Sequence, residues 1–133
     1  MTDTDGIADR RAIILVVEAD PHMRELEAHF LGEAGYAVEV AVDGLSAFER
    51  AQRLRPDLVI TEILVPKLDG LALCRRLKAE PDTRETRVMI FSILAASARA
   101  REAGADACLL KPLAESRLVS AVRQLLDTRG AAS

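Results

Sequence analysis

Four short apolar runs in this chain each stop at a polar side chain: Ile13–Val17 at Glu18, Leu58–Thr61 at Glu62, Val88–Phe91 at Ser92 and Cys108–Leu110 at Lys111. Runs this short and this rich in β-branched residues read as strands buried on both faces. A carboxylate at the end of such a strand is heavily penalised unless it faces a crevice or a partner, because an unpaired buried charge is costly. In an open parallel sheet all four polar ends would converge on one crevice beyond the strands, where such folds place their sites.

The segments between the runs carry the other period. Asp20-Pro21 is a helix start, an N-cap followed by proline at the first helical position. Met23, Leu26, Phe30 and Ala34 then recur at helical spacing, and Gly35 is a natural stop. Tyr36–Val42 alternates around Glu39 as a strand with one wet face, and Asp43-Gly44 turns into a second helix carrying Leu45, Phe48 and Leu54, ended by Pro56. After Pro66, Asp69-Gly70 caps a third helix with Leu73 and Leu77 inside and Arg75, Arg76 and Lys78 outside. Pro81-Asp82 breaks it. An alanine-rich segment, Ile93–Ala103, closes at Gly104, and a final amphipathic helix follows Lys111-Pro112 with Leu118, Val122 and Leu125 on one stripe. Strands alternating with helices five times predict an α/β fold, a doubly wound five-stranded parallel sheet with helices on both faces.

The chain has 133 residues, the size of one domain with a single core. The domain is expected over residues 12–127, with a flexible N-terminal tail at 1–11 and a polar C-terminal tail at 128–133. The formal charge is −3 and the basic residues are spread along helices, which argues against direct nucleic-acid contact. Cys74 and Cys108 lack the spacing of a metal site or a disulfide framework. No apolar stretch reaches membrane-span length, and the start, Met1-Thr2-Asp3, is acidic, unlike a signal sequence. A cytoplasmic protein without membrane contact is expected.

Ile14–Pro21, Pro56–Glu62, Pro66–Gly70 and Gly104–Pro112 together resemble the receiver domains of bacterial response regulators, the CheY-like fold, over nearly the whole chain. The resemblance implies a flavodoxin-like strand order of 2-1-3-4-5. It also implies a site in which an Asp after the third strand takes a phosphoryl group from a histidine kinase and two acids after the first strand hold Mg²⁺. A Ser/Thr after the fourth strand and a Lys after the fifth bind the phosphoryl oxygens, and an aromatic residue in the fifth strand follows the switch. Carried onto this chain, Ser92 and Lys111 match. The acceptor position holds Glu62, the acidic pair is Glu18-Ala19, and the aromatic position holds Cys108. The span from Ser92 to Lys111 is shorter than in CheY-like members, which trims the fourth helix.

These departures fall on the chemistry and leave the scaffold alone. One extra methylene displaces the nucleophilic oxygen by about 1 Å, which can cost roughly a hundredfold in rate. Ala19 removes a carboxylate from an ion that wants hard oxygen ligands in octahedral geometry. Mg²⁺ binding is therefore expected to be weak or absent, with Glu18 and Asp20 as the remaining candidate ligands, and no other cofactor is expected. Glu62 either imitates a phosphorylated Asp or simply pairs with Lys111 where the chemistry has been lost, and the residues leave both open. Cys108 reads as a small buried hydrophobe, His22 as a solvated histidine, Asp69 as a helix cap, and Arg99 and Arg101 as solvated charges. The expected function is an atypical pseudo-receiver, not an enzyme, acting by protein–protein contact with a histidine kinase or a downstream effector. A working phosphoacceptor, and a receiver cut from a longer regulator with an output domain, are the alternatives; a homodimer is also left open.

Overall fold

A computed structural model describes residues 11–132, with side chains through residue 127. The N-terminal tail expected over residues 1–11 lies outside the described residues except for Arg11. The order of elements is β1 (Ile13–Val17), α1 (Pro21–Glu33), β2 (Ala37–Ala41), α2 (Gly44–Leu54), β3 (Leu58–Thr61), α3 (Gly70–Ala79), β4 (Arg87–Ser92), α4 (Ser97–Glu102), β5 (Ala107–Leu110) and α5 (Glu115–Ala132). The strands form one parallel sheet in the order β2-β1-β3-β4-β5. None of the described helices is long and apolar enough to cross a membrane.

Strand alternation sends neighbouring side chains to opposite faces, so each central strand feeds two cores. Ile14, Val16, Leu58, Ile60, Met89 and Phe91 pack with Leu31 of α1 and Leu118 and Val122 of α5. Leu15, Val17, Val59, Val88 and Ile90 pack on the other face with Ala47, Phe48 and Ala51 of α2, Leu73, Cys74 and Leu77 of α3, and Ala100 of α4. This is why the central runs are continuously apolar rather than alternating.

Two expectations need correction. The C-terminal tail expected from residue 128 is helical through Ala132. No proline interrupts α5 there, and one glycine costs a helix interior only about 1 kcal/mol. In α1, the positions expected to face inward, Met23, Leu26, Phe30 and Ala34, are half-buried, while the two deepest residues are Glu27 and Leu31. The helix is rotated so that a glutamate lies on its inner face. The fourth helix is short as expected, six residues from Ser97 to Glu102.

The loop from β3 to α3 carries Glu62 and is clamped at two glycines. The Gly44 amide donates to Pro66 O at 3.0 Å, and a Cβ on Gly44 would stand 1.8 Å from Leu68 O. The Gly70 amide donates to Ile63 O at 2.9 Å, and a Cβ there would stand 2.3 Å from Glu62 O. Both obstacles are backbone, so neither can swing aside. Gly44→Ala and Gly70→Ala should each cost about 1–3 kcal/mol in urea unfolding, the usual penalty of overpacking. Gly32→Ala, which meets nothing within 4 Å, should be neutral or stabilising.

Candidate functional site

In a parallel sheet all carboxyl ends share one edge, and the hydrogen-bond ladder here continues one residue beyond the strands. Glu18 N donates to Ala41 O at 3.1 Å, Glu62 N to Val17 O at 3.2 Å, and Lys111 N to Ser92 O at 2.8 Å. The backbone under each polar side chain is therefore held by its neighbour strand. Glu18, Glu62, Ser92 and Lys111, read from the sequence as strand-end residues, meet in one buried cluster.

Lys111 is its centre. Its ammonium Nζ lies 2.7 Å from Glu18 Oε1 and 3.1 Å from Glu62 Oε2, and the three side chains are only 7%, 6% and 5% exposed. The same ammonium stands 5.6 Å from the centroid of the Phe91 ring, close enough for a cation–π attraction. The Ser92 hydroxyl donates to Glu62 Oε1. Backbone amides complete the carboxylate: Ile63 N reaches Oε1 at 2.6 Å and Ile93 N reaches Oε2 at 3.2 Å. Leu64 N also reaches Oε1 at 3.4 Å, so Oε1 accepts two amides and the hydroxyl, and Oε2 one amide and the ammonium. Glu18 Oε2 accepts from Asp20 N at 3.1 Å.

These contacts set the charges. Burial pushes the Glu62 carboxyl up, but the hydrogen bonds from Ser92 and Lys111, the Lys111 charge and the Ile63 amide together outweigh it and hold the group below its usual range. Burial likewise pushes Lys111 down, yet hydrogen bonds and charge from Glu18 and Glu62 leave it above the ordinary lysine value. Both groups are ionised across the neutral range.

The remaining sequence candidates fall outside the cluster or at its margin. Asp20, the other candidate metal ligand read from the sequence, caps α1, its carboxylate accepting from His22 N at 3.0 Å. His22 is exposed on the first turn, Asp69 caps α3 through Ala72 N at 2.9 Å, and Arg99 and Arg101 are exposed. Cys108 is half-buried rather than buried, lining a cleft of about 240 Å³ between α4 and β5. An edge strand is covered on one side only, which leaves it open. Arg24 of α1 donates to the carbonyls of Glu18 and Ala19 at 2.9 and 3.3 Å.

One member was not anticipated. Glu27 is 2% exposed, one of the two buried residues of α1. Burial pushes its carboxyl up to about 8, with the Glu18 charge adding to the shift, Lys111 opposing it and Glu62 adding again. The available signal was its place four residues from both Met23 and Leu31, on the apolar stripe.

The site does not fit Mg²⁺. An ammonium already bridges Glu18 and Glu62, Ala19 offers no side-chain donor, and the Asp20 carboxylate is engaged on α1. Among the described residues no three His, Cys, Asp or Glu side chains are grouped to hold a metal ion.

The pattern of the response regulator receiver domain matches residues 14–123. A curated relative, the DNA-binding dual master transcriptional regulator RpaA of Synechocystis, is 34% identical over 116 residues, which is 85% of this chain and 48% of that protein. The chain spans about half the length or less of the curated relatives it matches. The signal receiver domain of a histidine kinase from Syntrophus aciditrophicus superposes with a TM-score of 0.82 at 39% identity, covering 88% of this chain and 91% of that one. The receiver domain of a Pseudomonas aeruginosa sensor histidine kinase, which holds magnesium in its active-site cleft, gives 0.81 at 25% identity over 89% and 99% of the two chains.

Removing the ammonium while leaving the acids should be severe. Lys111→Met strands two buried carboxylates, and breaking such a pair costs roughly 3–5 kcal/mol in urea unfolding. The bridge also has a pH signature. The Glu62 part is present above the unfolded carboxylate value and lost as pH falls through the lower folded value; the Lys111 part is lost only as pH rises past the ordinary lysine range. The stability difference between wild type and Lys111→Met should therefore shrink in acid and in strong alkali. An equally stable Lys111→Met protein would mean the bridge contributes nothing.

Proposed function

This chain belongs to the response regulator receiver family, and we propose that within it the protein is a pseudo-receiver whose Glu62 carboxylate stands where a phosphoryl group would be held. The observation that carries this reading is the pair of donors on Glu62. The Ser92 hydroxyl and the Lys111 ammonium, the two groups that the family resemblance aligns with phosphoryl oxygens, both bind its carboxylate. A carboxylate that merely filled a lost site would need only Lys111. Here the hydroxyl and the Ile93 amide are recruited as well.

Phosphoryl transfer depends on metal charge and on placing the nucleophile in line. Both supports are weak at this edge. Both nucleophilic oxygens of Glu62 are engaged, Oε1 by three donors and Oε2 by two, and Lys111 bridges Glu18 and Glu62 in place of a divalent cation in this reading. The protein therefore acts without phosphorylation, by contact with a signalling protein, either a histidine kinase or a downstream effector. The surface of α4, β5 and α5 is the face proposed for that contact, by resemblance.

Magnitude limits what Glu62 can do as a mimic. A carboxylate brings one negative charge and two oxygens, against about −1.5 to −2 charges and three oxygens for a phosphoryl group. A group can shift a conformational equilibrium only by its differential interaction with the two states. With Cys108 in place of an aromatic ring and a six-residue α4, one fixed conformation is the expected outcome.

Intact-mass measurement with acetyl phosphate or phosphoramidate and Mg²⁺ tests the reading. The unaltered protein should gain no phosphoryl group, while Glu62→Asp combined with Ala19→Asp should gain one. Stable phosphorylation of the unaltered protein at Glu62 would establish a working phosphoacceptor instead. Calorimetry should likewise detect no sub-millimolar Mg²⁺ binding to the unaltered chain.

A further inference from the structure

α1 and α5 pack on one face of the sheet, with α4 on the other. Between them they line a groove of about 560 Å³. Its apolar wall is half-buried Phe30 and Ala34 of α1 with half-buried Val119 of α5. Glu33 of α1 and Glu115 and Arg123 of α5 stand exposed at its rim. The α5 side is kept low by Ser116 and Ser120. Helices approach one another most closely where the side chains at the contact are short.

The rim charges are free to pair elsewhere. Ion pairs among the described residues, such as Arg50 with Glu39 and Lys78 with Asp106, do not include Glu33, Glu115 or Arg123.

The order of residues along α5 says what can pair with them. Positions four apart share one helix face. Glu115, Val119 and Arg123 therefore form a stripe with an acid at one end, an apolar residue at the centre and a base at the other. A two-fold axis through Val119 lays this stripe against its own reverse. Each Glu115 then meets Arg123 of a second copy, once on either side of the axis, and the two Val119 side chains meet on it. A patch that complements itself on reversal is what an isologous interface requires.

We propose that the α1/α5 groove is where two copies of this chain pair, with their α5 helices antiparallel across Val119, Phe30 of each copy closing the apolar centre, and a Glu115–Arg123 pair at each end. The face is modest, two neighbouring helices of which the longer is about 27 Å. That places it at the lower end of specific interface sizes, so dimer and monomer exchange with concentration. The pairing uses the side of the sheet opposite α4 and does not depend on whether Glu62 imitates a phosphoryl group.

Sedimentation equilibrium of the full chain, from micromolar to millimolar concentration, tests this. Wild type should show a monomer–dimer equilibrium that weakens as salt is added. Glu115→Arg and Arg123→Glu each put like charges together at two places, so each should weaken dimerisation about tenfold or more. Urea unfolding of both variants should match wild type, because both side chains are exposed. The decisive step is to mix the two variants. Each is repelled by its own copies, but their reversed charges complement one another across the axis, so the mixture should regain dimers. The chain carrying both changes should dimerise as wild type does. A wild type that stays monomeric, or a dimer that neither reversal weakens, would overturn the proposal. So would a mixture or a doubly changed chain that stays monomeric. None of these readouts involves a phosphodonor, so a failure here is distinct from a failure of the pseudo-receiver reading.

Discussion

One buried ammonium makes the carboxyl edge of this sheet viable. Lys111 comes from β5, at the edge of the sheet, and its Nζ reaches past β4 to carboxylates that follow β3 and β1. Taking two acids and a base out of water is expensive, and their mutual attraction repays this only when geometry is good and the spare lone pairs are satisfied. Here the spare lone pairs of Glu62 are taken by a hydroxyl and three amides. Without the lysine, Glu18 and Glu62 would lose the ammonium that pairs with both.

The rest of the fold supplies the placement that this arrangement needs. Two aliphatic cores grip the central strands from both sides, so their carboxyl ends cannot slide. The loop after Glu62 is held at Gly44 and Gly70 by backbone contacts that leave no room for a side chain. Asp43, which caps α2 through Ser46 N at 2.7 Å, fixes the helix that carries one of those clamps. Glu62 is therefore a rigidly mounted carboxylate rather than a flexible surface acid.

Set beside the receiver family to which the chain belongs, the departures fall in one place. The family pattern is matched over residues 14–123, while by the resemblance Glu62, Ala19 and Cys108 stand where the family carries an acceptor Asp, a second acid and an aromatic residue.

The sequence by itself determined the fold and most of the site. Runs that stop at Glu18, Glu62, Ser92 and Lys111 specify parallel strands and where their ends go, because a parallel sheet has only one carboxyl edge. Helix starts at Asp20, Asp43 and Asp69 were equally legible, since each is a local capping event. Tertiary structure alone decided the pairing. That Lys111 would bridge two acids, and that Ser92 would donate to Glu62, depends on the sheet order and on side-chain reach across intervening strands. The rotation of α1 was also invisible, because a broad apolar stripe fixes the helix orientation only loosely. Packing against β1, β2 and α5 chose the orientation that buries Glu27, an acid to which the local pattern assigned no role.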